Sequence, residues 1–170
     1  MANPSRYLNT LAPERAHAEL FRCCGSERWV QGMLARRPFA SDAELHELAR
    51  DLWRELSEQD YLEAFAQHPE IGADLAKLRE KFASSAQWSN AEQAGVNGAS
   101  EQTLAALRDG NLAYKQRFGF LFIVCATGKS APEMLALLRA RLPHERGREL
   151  EVAAEEQAKI TALRLEKLGP

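Results

Sequence analysis

Only one stretch of this chain resembles a β-strand. Gly119-Phe120-Leu121-Phe122-Ile123-Val124-Cys125-Ala126 is continuously apolar and rich in aromatic and β-branched residues. A strand needs a partner, because an unpaired ladder of buried N–H and C=O groups is costly. No second convincing run of this kind occurs in the 170 residues. A sheet is therefore not expected. The segment reads as a buried extended or helical piece inside an all-α domain.

The rest of the chain has helical spacing. Ser41-Asp42-Ala43-Glu44 has the form of a capping box, in which hydroxyl and carboxylate satisfy free backbone N–H groups. Leu45, Leu48, Ala49, Leu52, Trp53 and Leu56 follow at three- and four-residue intervals, the pattern of an amphipathic helix. Upstream, Pro13 to Cys24 reads as a helix closed by Gly25. Ser26 then caps a second helix carrying Trp29, Val30, Met33 and Leu34, which Arg37-Pro38 ends. Further helices are expected over Tyr61–Gln67, Ala73–Phe82, Ser89–Gly95 and Ser100–Phe118, the last interrupted or strained near Gly110. Ser130-Ala131-Pro132-Glu133 is another capping box, with proline in the first turn, and opens Met134–Leu142. Pro143–Gly147 is a turn, and a final helix runs from about Arg148 to Leu168. The expected fold is a single domain over residues 1–170, a helical bundle of about eight to nine helices.

Charge and composition narrow the function. With 22 basic and 24 acidic residues the formal net charge is −2, which argues against a nucleic-acid binder. No apolar run approaches the length of a membrane span, so no membrane partner is expected. Met1–Leu8 lacks the pattern of a secretion signal, and Leu168-Gly169-Pro170 is not a peroxisomal tripeptide. Three cysteines, two of them the neighbours Cys23 and Cys24, suit a reducing compartment, and cytoplasmic localisation is expected. No cysteine–histidine cluster has ligand spacing, so no metal is expected.

Four places could carry chemistry. Gly128-Lys129-Ser130 invites a phosphate-loop reading, but the required earlier glycine is replaced by Ile123; a turn leading into the Ser130 cap explains it better. In His68-Pro69-Glu70-Ile71-Gly72, proline drives His68 out of helical geometry and presents its imidazole from a bend. Histidine exchanges protons near neutral pH, yet an isolated one more often merely ends a helix. Ser89 and Glu92 have capping-box spacing, and on spacing alone the cap is the better reading, although a carboxylate there can also bind urea-like N–H groups. Arg164 shares the stripe of Ile160 and Leu168; it can snorkel, pair with an internal acid, or hold a substrate carboxylate.

These blocks occur in a telling order. His68–Gly72, then Ser89-Asn90-Ala91-Glu92-Gln93, then Tyr114 through Phe118 to Ala126, then Glu155-Glu156-Gln157-Ala158-Lys159-Ile160-Thr161-Ala162-Leu163-Arg164-Leu165-Glu166-Lys167-Leu168, resemble the signature blocks of the OHCU decarboxylase family. The resemblance spans roughly Leu8 to Leu168. It implies an all-α fold, a carboxy-lyase of urate breakdown, a small ureidoimidazoline substrate, no cofactor and a homodimer. The absent peroxisomal tripeptide fits a bacterial cytoplasmic form of such an enzyme. The implied reaction converts 2-oxo-4-hydroxy-4-carboxy-5-ureidoimidazoline (OHCU) to (S)-allantoin and CO2. Loss of CO2 leaves an electron pair, and the ring C=N beside the carboxylate-bearing carbon can accept it, so the substrate contains its own sink.

By the same resemblance, His68 is the acid/base group, Glu92 bonds substrate N–H groups and tunes His68, and Arg164 orients a polar or anionic group. Ser89 and Gln93 line one wall, Pro69 shapes it, and backbone groups of Phe122, Ile123, Val124, Cys125 and Ala126 hold ureido or ring carbonyls. Two other readings compete. A helical interaction module with apolar grooves would leave His68 and Arg164 idle. A related ureide hydrolase or isomerase would release no CO2.

Overall fold

In a computed structural model the protein is described over residues 2–69 and 90–170, with the side chains of 90–100 outside the described set. Eight helices and no strand occur among the described residues: α1 Pro4–Thr10, α2 Pro13–Cys23, α3 Glu27–Leu34, α4 Asp42–Arg54, α5 Glu58–Ala66, α6 Asn90–Phe118, α7 Ala131–Arg141 and α8 Arg146–Glu166. The all-α expectation holds. The helix expected over Ala73–Phe82 lies outside the described residues.

The backbone groups into two compact units, Met1–His68 with Ala153–Pro170, and Pro69–Val152. In the first, Leu8, Leu20, Trp29, Met33, Leu45, Phe65 and Leu165 are fully or almost fully buried. Two indole N–H groups inside that core donate to backbone carbonyls, Trp29 to Ala49 at 3.1 Å and Trp53 to Ala154 at 2.9 Å. Each aromatic body is thus buried without stranding its polar tip.

The helix starts follow the caps read from sequence, with instructive exceptions. Ser41 Oγ accepts from Glu44 N, but the Glu44 carboxylate reaches Ala40 N, one residue before the expected position. Ser130 Oγ accepts from Glu133 N as expected. Ser26 sits at the N-cap of α3 but makes no side-chain cap bond, and its buried hydroxyl has no partner among the described residues. Two starts were not anticipated: Asn3 caps α1 with Pro4 in its first turn, and Ser57–Asp60 forms a reciprocal capping box on α5.

Gly25 does not close α2 as a left-handed cap. The cap residue is Cys24 in extended geometry, and the positive-φ residues among those described are Gly119 and Gly128. Glycine is needed at 25 for closeness instead: a Cβ there would lie 2.2 Å from Gln67 Cγ and 2.9 Å from Gln67 Cβ.

In the second unit the two helices expected over Ser89–Gly95 and Ser100–Phe118 are one continuous α6. Gly110 does not interrupt it. A Cβ at Gly110 would come within 2.5 Å of Leu138 Cδ2 on the packed α7, so the glycine lets two helices approach. The odd apolar run then leaves α6 through Gly119 (φ +81°), whose N–H reaches Lys115 O at 2.8 Å. It continues non-helical through Ala126, with Phe122 to Cys125 buried, and turns at Gly128 (φ +76°) into the Ser130 cap. It is extended rather than helical, and side chains take the place of a neighbouring strand. Arg141 Nη1 donates to Ile123 O at 2.6 Å, and Lys129 Nζ to Cys125 O at 2.7 Å. Lys129 is thus a carbonyl partner in a turn, in line with the rejection of a phosphate loop.

Candidate active site

His68 follows directly on α5. The last turn tightens, with Gln67 N bonding Ala64 O and His68 N bonding Phe65 O, both at 3.2 Å. Pro69 then blocks continuation. The imidazole is half-buried, and it does not serve its own helix end. Its Nε2 lies 2.5 Å from Oε1 of Gln157, which is fully buried on α8. Gln157 Nε2 donates to Thr161 Oγ1 at 3.1 Å, and Thr161 Oγ1 lies 3.4 Å from Cys23 O at the end of α2.

Gln157, Thr161 and Arg164 share one face of α8 by their spacing. Arg164 is exposed, and its Nη1 donates to the carbonyls of Arg22 at 3.2 Å and Cys23 at 3.5 Å, where a cation suits a helix C-terminus. Snorkelling with a capping role therefore describes the part of Arg164 that is engaged. Its charge is felt at His68. Burial lowers the His68 pKa, the Gln157 bond opposes this, and Arg164 adds to the lowering. The net result is an imidazole that stays neutral below its ordinary value of 6.5 and can take up a proton.

The neighbouring thiols are poor nucleophiles. Burial pushes both Cys23 and Cys24 up to about 12, leaving negligible thiolate at neutral pH. Among the described residues no group of three or more His, Cys, Asp or Glu could hold a metal ion.

The other expected residues fall as follows. Pro69 is exposed beside His68. Ser89 lies outside the described residues; Glu92 and Gln93 belong to α6, with side chains outside the described set. Phe122, Ile123, Val124 and Cys125 are buried in the second unit and Ala126 is half-buried. That segment is held by a buried polar cluster which sequence reasoning missed. Glu149, fully buried, accepts from Tyr114 OH at 2.6 Å, from Arg141 Nε at very short range, and meets His144 Nδ1 at 3.0 Å. Burial, and then the Glu149 bond, raise the Tyr114 pKa, so it remains a phenol and a donor. The Arg141 guanidinium also lies 4.5 Å from the Phe122 ring centroid, a cation–π contact.

The OHCU decarboxylase family model matches residues 9–166. The chain belongs to the OHCU decarboxylase family. It is 37% identical over 160 residues to the uric acid degradation bifunctional protein TTL of Arabidopsis thaliana; the match takes in 93% of this chain but 48% of that protein, so the chain spans about half its length. It is 29% identical over 139 residues to 2-oxo-4-hydroxy-4-carboxy-5-ureidoimidazoline decarboxylase of Halalkalicoccus jeotgali, covering 79% of this chain and 73% of the relative. A crystal structure of an OHCU decarboxylase in the presence of (S)-allantoin superposes with a TM-score of 0.70 at 35% identity, over 88% of this chain and 95% of the other. An (S)-allantoin synthase structure matches at TM-score 0.66 and 20% identity, over 95% of this chain and 52% of that one, which supports the fold alone.

Proposed function

We propose that this chain decarboxylates OHCU to (S)-allantoin and CO2, and that His68 exchanges the proton. The observation that carries this is the family match over residues 9–166, with His68 supported on buried Gln157. The reaction asks little of a protein beyond orientation and one well-placed proton. As CO2 departs the ring C=N takes the electron pair and its nitrogen is protonated from solvent. The neutral imidazole accepts the proton of the 4-hydroxyl as that carbon becomes a carbonyl. The resulting imidazolium, held on one side of the planar intermediate, returns a proton to one face and sets the chirality. His68 stands at a constrained bend between α5 and Pro69, which suits delivery from a single direction.

The remaining roles belong to the same proposal. Arg164 keeps part of its donor fork for an anionic or carbonyl oxygen. Glu92 binds substrate N–H groups and tunes His68; Ser89, Gln93 and Pro69 shape the wall; backbone groups of Phe122 to Ala126 bind substrate carbonyls. The enzyme works without metal or organic cofactor, in the cytoplasm and as a homodimer. No helix among the described residues is long and apolar enough to cross a membrane. A hydrolase or isomerase of related ureides is separated by its products. Purified protein added to freshly generated OHCU should accelerate CO2 release and yield optically active allantoin. Allantoin formed without accelerated CO2 release would overturn the assignment.

A further inference from the structure

We infer that Gln157 is a positioning residue that holds His68 in the Nε2–H tautomer, leaving Nδ1 to exchange the proton with substrate. The inference rests on the functional reading above only for what Nδ1 does. The tautomer follows from hydrogen-bond direction.

The direction is set at the far end of the chain. Cys23 O is a backbone carbonyl and can only accept, so the Thr161 hydroxyl, 3.4 Å away, donates to it. With its proton committed, Thr161 Oγ1 receives from the Gln157 amide, whose Nε2 lies 3.1 Å away. Thr161 also bonds the Cys24 sulfur in the sense that lowers the thiol pKa, with the hydroxyl as donor, and either donation leaves the Thr161 oxygen to receive from the amide. The amide NH2 is thereby turned toward Thr161 and its carbonyl oxygen toward His68, 2.5 Å from Nε2. An amide oxygen carries no proton, so the imidazole must supply it. In a neutral ring, a proton on Nε2 leaves the lone pair on Nδ1. Among the described residues no partner bonds Nδ1.

Burial makes this arrangement rigid. Gln157 is fully inaccessible and Thr161 nearly so, so neither can exchange its partner for water without cost. A buried amide whose oxygen and nitrogen are both engaged locks its ring partner as the third member of a catalytic triad locks a histidine. The choice of amide over carboxylate also matters chemically. A carboxylate would stabilise imidazolium and hold the proton; a neutral oxygen, with the Arg164 charge nearby, leaves imidazolium readier to release it to carbon.

The test uses the intact protein. Long-range proton–nitrogen NMR of the labelled imidazoles, with His68 assigned by difference against His68→Asn, should give a protonated Nε2 and an unprotonated Nδ1 near neutral pH. Gln157→Met should abolish that preference and lower kcat by about tenfold or more with KM little changed, as expected for loss of a tautomer-fixing partner. Gln157→Glu keeps an acceptor at the same place and should keep the Nε2–H form. A proton on Nδ1 in the wild type, or an unchanged tautomer and kcat in a folded Gln157→Met, would overturn the inference while leaving the decarboxylase assignment standing. Full turnover by His68→Asn would instead remove the functional reading, and the role of Nδ1 with it.

Discussion

Replacing Glu149 by Ala should be among the most destabilising single changes available in this protein. The carboxylate is fully buried, and its side chain serves Tyr114, Arg141 and His144 together. Removing it leaves the Arg141 guanidinium, 6% exposed, without its counter-ion and the Tyr114 hydroxyl without its acceptor. Breaking a buried ion pair from one side costs about 3–5 kcal/mol, because the remaining charge is uncompensated. Against a typical domain stability of about 5–15 kcal/mol, that is a large share. Tm should fall by roughly 6–20 °C, at about 2–4 °C per kcal/mol for a chain of this size. Urea unfolding followed by far-ultraviolet circular dichroism is the assay, read as a lower midpoint at constant slope. Adding Arg141→Met removes the stranded charge, so the double variant should lose less than the two single losses added together. A Glu149→Ala protein within about 1 kcal/mol of wild type would refute the argument, since such a value is expected of an exposed pair rather than a buried one.

Gly25→Ala should cost about 1–3 kcal/mol and reduce activity, because the new methyl meets Gln67 Cβ, next to the His68 bend, and cannot be avoided by rotating a side chain; thermal melting and turnover check both. Arg164→Lys keeps the charge but loses the planar fork, so substrate use should fall well below wild type in steady-state assays; a variant matching wild type would reduce Arg164 to capping α2. The lowered His68 pKa favours the folded state above the ordinary value of 6.5, and this contribution is lost as the pH falls through the lower folded value. His68 should therefore titrate by NMR below 6.5, and a titration above that value would contradict the burial argument.

Helix starts were legible at Ser41 and Ser130, where a short polar side chain meets free N–H groups, but not at Asn3 and Ser57, which do the same. Glycines were read less well, because sequence reveals their freedom of φ but not their need for room. Gly25 and Gly110 serve close approach to Gln67 and Leu138, which no local pattern announces. For the same reason α6 runs unbroken through Gly110: a glycine costs about 1 kcal/mol of helix propensity, and packing against Leu138 outweighs that. The Phe120–Ala126 segment was rightly excluded from a sheet, but the device that satisfies it was hidden. Arg141 and Glu149 lie on either side of the short link between α7 and α8 and look like ordinary surface charges; only tertiary structure buries them together. His68 was legible through the His-Pro bend and the resemblance. Gln157 lies within one of the resembling blocks, but an uncharged amide on a helix carries no chemical signal of its own.

The most direct test of the account is the His68→Asn protein on freshly generated OHCU. Far-ultraviolet spectra and the melting temperature first establish the fold, which asparagine should preserve at this helix end. Allantoin is then followed by its circular dichroism over time. Spontaneous decay gives the racemate, because water can reach both faces of the intermediate. The account predicts that His68→Asn forms (S)-allantoin more slowly than wild type by about a hundredfold to ten-thousandfold, the usual contribution of a general acid–base group. A folded His68→Asn protein producing (S)-allantoin at the wild-type rate would contradict it.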